Sequence, residues 1–193
     1  MAKEFKSRMS KIYYAKSKKT KKGNTTYFLT TKLDDSCLDI IPKEYEVYEN
    51  YTAQMLYLRK KKKSGFSAKD IALIKTELSK NESIDGFELN IHGDEIKIYD
   101  LEDKSKHEPS LLEMIPNNRR EIAKAYFMQY TENMCIKKVT KKEETEYLVM
   151  RFCYRSAIDD WIVVDAGEDL ATLAANNLVH LGKESFFDLY PIR

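Results

Sequence analysis

No run of about 18 apolar residues, the length a membrane-crossing helix requires, occurs in the chain; its apolar stretches meet a charge within a few positions. The sequence therefore predicts no transmembrane helix. Glycine and proline are scarce, at six and four among 193 residues, which argues against collagen-like or low-complexity architecture. The three cysteines, Cys37, Cys135 and Cys153, are odd in number and far apart. That usage predicts free thiols in a reducing compartment, and the Cys-x-x-Cys spacing of a zinc or redox site is missing. The basic start, MAKEFKSRMSK, leads into no apolar segment or cleavage site, so no secretory signal is read and a cytoplasmic location is expected.

What is present is a chain that is 42% hydrophobic and 33% charged, long enough to bury a core as one domain or two small ones. Its near-neutral total conceals a division. Residues 1 to 65 hold 16 Lys or Arg against 7 Asp or Glu, a net of +9, while residues 66 to 193 hold 17 against 24, a net of −7. The expected organisation follows this step: a basic, tyrosine-rich β module over 1–65 and an α+β domain over 66–193, either separate from the first or continuous with it. Ser64-Gly65 is read as the hinge.

The patterning predicts an α+β fold with predominantly antiparallel sheets and about three packed helices. After a tail of about ten residues, Ile12 to Tyr14 and Tyr27 to Thr31 read as strands joined by the basic turn Lys18 to Asn24. Tyr45 to Leu58 supplies two more strand-like runs. Ser67 and Asp70 stand in capping-box positions ahead of Ile71, Ile74 and Leu78, an apolar helical stripe that ends near Asn81. In the next hairpin, a Gly93-Asp94 turn would set Ile91 opposite Ile96 and Leu89 opposite Ile98.

Residues 101 to 110 read as a polar loop. A helix over 118–130 is expected, with Asn117 as its cap and Ile122, Tyr126 and Tyr130 on one face. Residues 135–139 and 147–154 form a second hairpin pattern, and 161–164 a further strand behind a turn at Asp159 and Asp160. A last helix over 168–181 places Leu170, Leu173, Ala174 and Leu181 inward and ends at Gly182. Phe186, Phe187, Leu189 and Tyr190 are expected to hold the terminus to the body.

The charge segregation points to a nucleic-acid-associated, non-catalytic binding protein. Lys18, Lys19, Lys21 and Lys22 in one turn, and Arg59, Lys60, Lys61, Lys62 and Lys63 after another strand, are the candidate phosphate contacts, because ammonium and guanidinium groups displace the counterions of a polyanion. Tyr13, Tyr14, Tyr27, Tyr48 and Tyr57 are candidate stacking platforms for bases. RNA or DNA is the expected partner, and an acidic protein contacting a structural or interaction module is the alternative. Lys22-Gly23-Asn24 lacks the glycine-rich phosphate loop.

Catalysis has less behind it. His92, His107 and His180 are isolated in sequence, and Ser156 has no activating neighbour. Asp159, Asp160, Asp165, Glu168 and Asp169, around the single tryptophan Trp161, form the densest acidic group and would be the site if the protein were an enzyme. Turn and helix-start roles explain them more simply. No metal, cofactor or catalytic residue is assigned.

Overall fold

The computed structural model of the protein describes residues 2–107, 109–142, 144–155 and 158–192. It is α+β with predominantly antiparallel sheets, as the patterning predicts. The chain divides into two compact units, one of Met1–Lys61 with Lys104–Met128 and one of Lys62–Asp103 with Gln129–Arg193. Residues 104 to 128, which interrupt the second unit in sequence, thus belong to the first.

In the first unit β1 (Glu4–Lys6), β2 (Ile12–Lys19) and β3 (Thr25–Thr30) make a three-stranded antiparallel sheet, and β4 (Tyr45–Asn50) with β5 (Met55–Lys60) makes a two-stranded ribbon. The expected N-terminal tail is therefore partly a strand: Glu4 to Lys6 pair with Ile12 to Tyr14. The Tyr14 hydroxyl donates to Glu4 at 3.0 Å. Three residues carry too little pattern to be read without the strand they pair with.

The second unit is a meander in which β6 (Gly86–His92), β7 (Glu95–Asp103), β8 (Met128–Lys141), β9 (Glu144–Arg155) and β10 (Ile158–Gly167) lie side by side in chain order. Helices α1 (Ala68–Ser79) and α5 (Leu170–Leu178) pack on each other and contribute Ile74, Leu78, Leu170, Leu173, Ala174 and Leu178 to one core. The sheet answers with Ile96, Ile98, Met134, Ile136, Val149 and Val164. Six of these twelve side chains are wholly inaccessible aliphatics of the size of leucine, each worth roughly 1.5–3 kcal/mol on burial.

Local chemistry explains the elements that were legible. Asp70 N–H donates to Ser67 Oγ at 3.2 Å, and Ser67 N–H donates to Asp70 Oδ2 at 2.7 Å, so the capping box is complete. Leu89 pairs with Ile98 and Ile91 with Ile96, the register set by Gly93, whose φ of +62° is where glycine carries no steric penalty. Asp169 caps α5 by accepting from Ala171 and Thr172. Its carboxyl is held below its usual pKa, first by the Thr172 hydroxyl and then by the Ala171 N–H.

Several expectations need correction, among them the end of the last helix, since α5 closes at Leu178 with Val179 as its C-cap, well before Gly182. Residues 101–103 continue β7, because Asp85 and Leu101 share a backbone bond and Asp103 N–H donates to Asp85 Oδ2 at 2.7 Å. The rest of that supposed loop contains α2 (Lys104–His107) and α3 (Pro109–Glu113). The following helix, α4, is short (Arg120–Phe127), preceded by a 3-10 turn at Asn117–Arg119 that Pro116, not Asn117, introduces. Backbone pairing in β8 takes over from Met128, so Tyr130 lies in a strand, and Tyr126 is 62% exposed. Asp159 and Asp160 pair with Tyr154 and Cys153 inside β10 and are not a turn. The position of Ser156 falls outside the described residues.

Candidate nucleic-acid interface

The basic turn is built by the β2–β3 register. Lys19 pairs with Thr25, Thr20 N–H donates to Asn24 O at 2.8 Å, and Gly23 N–H donates to Thr20 O at 2.9 Å. Gly23 takes a φ of +80°, the left-handed turn position that a side chain disfavours. Lys18, Lys19, Lys21 and Lys22 are all exposed, and among the described residues none is held in an ion pair.

The second basic run leaves β5. Tyr45 pairs with Lys60, and Lys61 N–H donates to Glu44 O at 2.7 Å, which carries the ladder one residue past the strand. Tyr45 also meets Tyr27 edge-on, with ring centroids 4.9 Å apart and planes at 60°. Tyr27 stands opposite Ser17, two residues short of the Lys19–Thr25 end of its hairpin. This aromatic pair therefore ties the lysine-bearing end of β2–β3 to the lysine-bearing end of β4–β5. Tyr45 is absent from the residues that the sequence singles out, since nothing in the sequence says that two distant tyrosines meet.

The candidate side chains fall into two groups. Tyr13 and Tyr14 are buried, at 3% and 8% exposure, so their rings serve the core of the first unit and offer no stacking face. Arg59 is committed: its Nε donates to Glu46 Oε1 at 2.7 Å, and its guanidinium lies 4.3 Å from the centre of the Tyr48 ring. Tyr48 in turn stacks on Tyr57 at 5.7 Å and 27°. Tyr57, at 38% exposure, is the open end of this guanidinium–tyrosine–tyrosine column. Lys61, Lys62 and Lys63 are exposed, and Lys62 and Lys63 belong to the second unit.

Charge follows the units. The first carries 19 Lys or Arg against 10 Asp or Glu, a net of +9, and the second 14 against 21, a net of −7. Within the first, Lys16 is neutralised by Asp34, whose carboxyl the Lys16 ammonium and then Ser36 hold far below the usual carboxylate range. Lys124 pairs with Glu121 at 2.9 Å, and Arg120 donates to the carbonyls of Ile115 and Glu113.

Of the five acids around Trp161, Asp160, Asp165 and Asp169 take structural duties, while Asp159 and Glu168 are exposed. Asp160 Oδ1 accepts from Trp161 N–H at 2.7 Å, and Asp165 accepts from Ala166 N–H at 2.9 Å and from Asn177 Nδ2 at 2.7 Å. Trp161 meets Phe152 edge-on at 5.5 Å, with Lys97 Nζ 5.7 Å from its ring centre. His180 Nδ1 lies 2.8 Å from Ser185 Oγ. Burial pushes the Cys135 thiol up to about 12, so it stays protonated and unreactive at neutral pH. Among the described residues no three His, Cys, Asp or Glu side chains are grouped to hold a metal ion, and no helix is long and apolar enough to cross a membrane.

Comparison of the chain with protein-family models, with curated proteins and with solved structures finds no match in any of the three.

Proposed function

We propose that the first unit binds nucleic acid through its phosphates, using the exposed lysines at the joined ends of its two hairpins. The observation that carries this reading is the Tyr27–Tyr45 contact, which unites Lys18, Lys19, Lys21 and Lys22 with Lys60 and Lys61 in a unit of net charge +9. Contact by flexible ammonium groups is sequence-tolerant, because lysine meets phosphate as a point charge and reads no base edge from there. Tyr27, half-buried and opposite Ser17, and Tyr57, three residues before Lys60, carry rings close to these lysines, and a ring with an open face favours single strands, whose bases are free to stack.

Six phosphate contacts on a single strand correspond to a slope of about −4 for log affinity against log salt. The test is fluorescence anisotropy of a labelled single-stranded oligonucleotide at low salt, with polyglutamate of matched charge as competitor. Saturable binding that polyglutamate displaces poorly is expected. Equal displacement would shift the assignment to an acidic protein partner, and absence of binding at low salt would remove it. Tyr27→Ala is expected to weaken the oligonucleotide by about tenfold by uncoupling the two lysine groups, a loss equivalent to one well-placed contact.

A further inference from the structure

The second unit holds a cavity of about 300 Å³ that the nucleic-acid reading does not use. Asp100 of β7 and Asn133 of β8 form one side, and the chain after α5 forms the other through Gly182, Lys183, Phe186 and Phe187. Asn133 Nδ2 donates to Asp100 Oδ1 at 2.8 Å, and among the described residues no cation lies in ion-pair reach of this carboxylate. Burial, opposed by the Asn133 bond, pushes the Asp100 carboxyl up to about 6, so at neutral pH it is ionised and poorly compensated.

The opposite wall is fixed in advance. Arg151, itself only 4% exposed, donates through Nε to Leu189 O at 2.6 Å and through Nη2 to Phe187 O at 3.5 Å, and its guanidinium lies 5.5 Å from the Phe186 ring centre. Gly182 sits at φ +75°, so close to the neighbouring chain that a Cβ would fall 2.3 Å from Ser83 O. Phe187 meets Phe186 edge-on at 5.5 Å and stays 61% exposed. The rim charges, Lys183 and Glu184, oppose each other and leave the Asp100 carboxylate to set the preference.

We propose that this cavity binds a small organic ammonium ion, its charged end on Asp100 and its apolar body against the Phe187 ring. An ammonium supplies the missing counter-charge and further donors to a carboxylate that accepts from Asn133 and from its own backbone N–H, and an apolar body fits the aromatic wall. The preformed wall limits the ordering cost of binding.

The probe is benzylamine, titrated into the full chain at mildly alkaline pH and followed by amide chemical shifts, with benzyl alcohol as the neutral analogue. Saturable shifts at residues around Asp100 and Phe187 are expected, with an affinity at least about tenfold above that of benzyl alcohol, the size of one charge-assisted hydrogen bond. Asp100→Asn, close in shape, is expected to erase that preference, and Phe187→Ala, at an exposed position, to weaken benzylamine severalfold while leaving the fold intact. Equal binding of the alcohol, unchanged binding by Asp100→Asn, or no saturable shift up to about 10 mM, the weak limit of specific binding, would overturn the proposal.

Discussion

Both units hold some charges in ion pairs, Lys16–Asp34, Arg59–Glu46 and Lys124–Glu121 among those of the first, but they differ in what is left over. In the second, Lys97 is paired to Glu132 at 2.6 Å, Lys137 to Glu95 at 3.1 Å, Arg151 to tail carbonyls, and Asp169 to the start of α5. In the first, Lys18, Lys19, Lys21, Lys22 and Lys61 stand exposed without an ion pair among the described residues. Charge that a fold organises internally stabilises that fold, whereas like charge left unpaired on a surface opposes compaction and attracts polyanions. The first unit also has a thinner core, with Tyr13, Tyr14, Ala15 and Leu56 as its buried hydrophobic residues among those described. The larger buried core lies in the acidic unit and the excess of lysine in the basic one.

The largest effect that would sharpen this contrast is a cavity in the second unit. Leu178→Ala removes a wholly buried side chain from the α1–α5–sheet core and is expected to cost about 2–5 kcal/mol in denaturant unfolding. A cost below about 1 kcal/mol would mean that this core is loosely packed.

Next comes Asp100→Asn, whose effect depends on pH. The folded carboxyl titrates near 6, above its ordinary 3.8, so between those values the native state holds more protons than the unfolded one. The stabilising contribution of Asp100 is thus present in full below about pH 4 and lost as pH rises through 6. Relative to wild type, the Asn variant gains on the order of 2–3 kcal/mol from pH 4 to 7. A flat difference across that range would contradict the burial of Asp100.

A smaller loss is expected from Ser67→Ala, which opens the capping box of α1 at a cost of about 1 kcal/mol. Thermal unfolding of the second unit reads it directly. Smallest in stability, within about 0.5 kcal/mol, should be replacing Lys18, Lys19, Lys21 and Lys22 by Ala, since surface substitutions away from packed features change little.

Legibility in the sequence tracks how local the cause is. The Ser67–Asp70 box, the Gly93 hairpin and the Asp169 start of α5 were readable because each is written within a few residues. The β1 strand, the extension of β7 and the early start of β8 were not, because each exists only through pairing with chain far away. The same distinction governs the candidate site. The lysine runs and the charge step were visible; the burial of Tyr13 and Tyr14, the capture of Arg59 by Glu46 and Tyr48, and the meeting of Tyr27 with Tyr45 arise only in three dimensions. The inclusion of residues 104 to 128 in the basic unit is likewise a property of packing, since they are sequence neighbours of the acidic one.

If the exposed lysines of the first unit form a polyanion surface, the salt dependence of oligonucleotide affinity reports it. A log–log slope near −4 is expected for the wild type, falling to about −1 when Lys18, Lys19, Lys21 and Lys22 are replaced by Ala, with stability unchanged. An identical slope for the two proteins would contradict it.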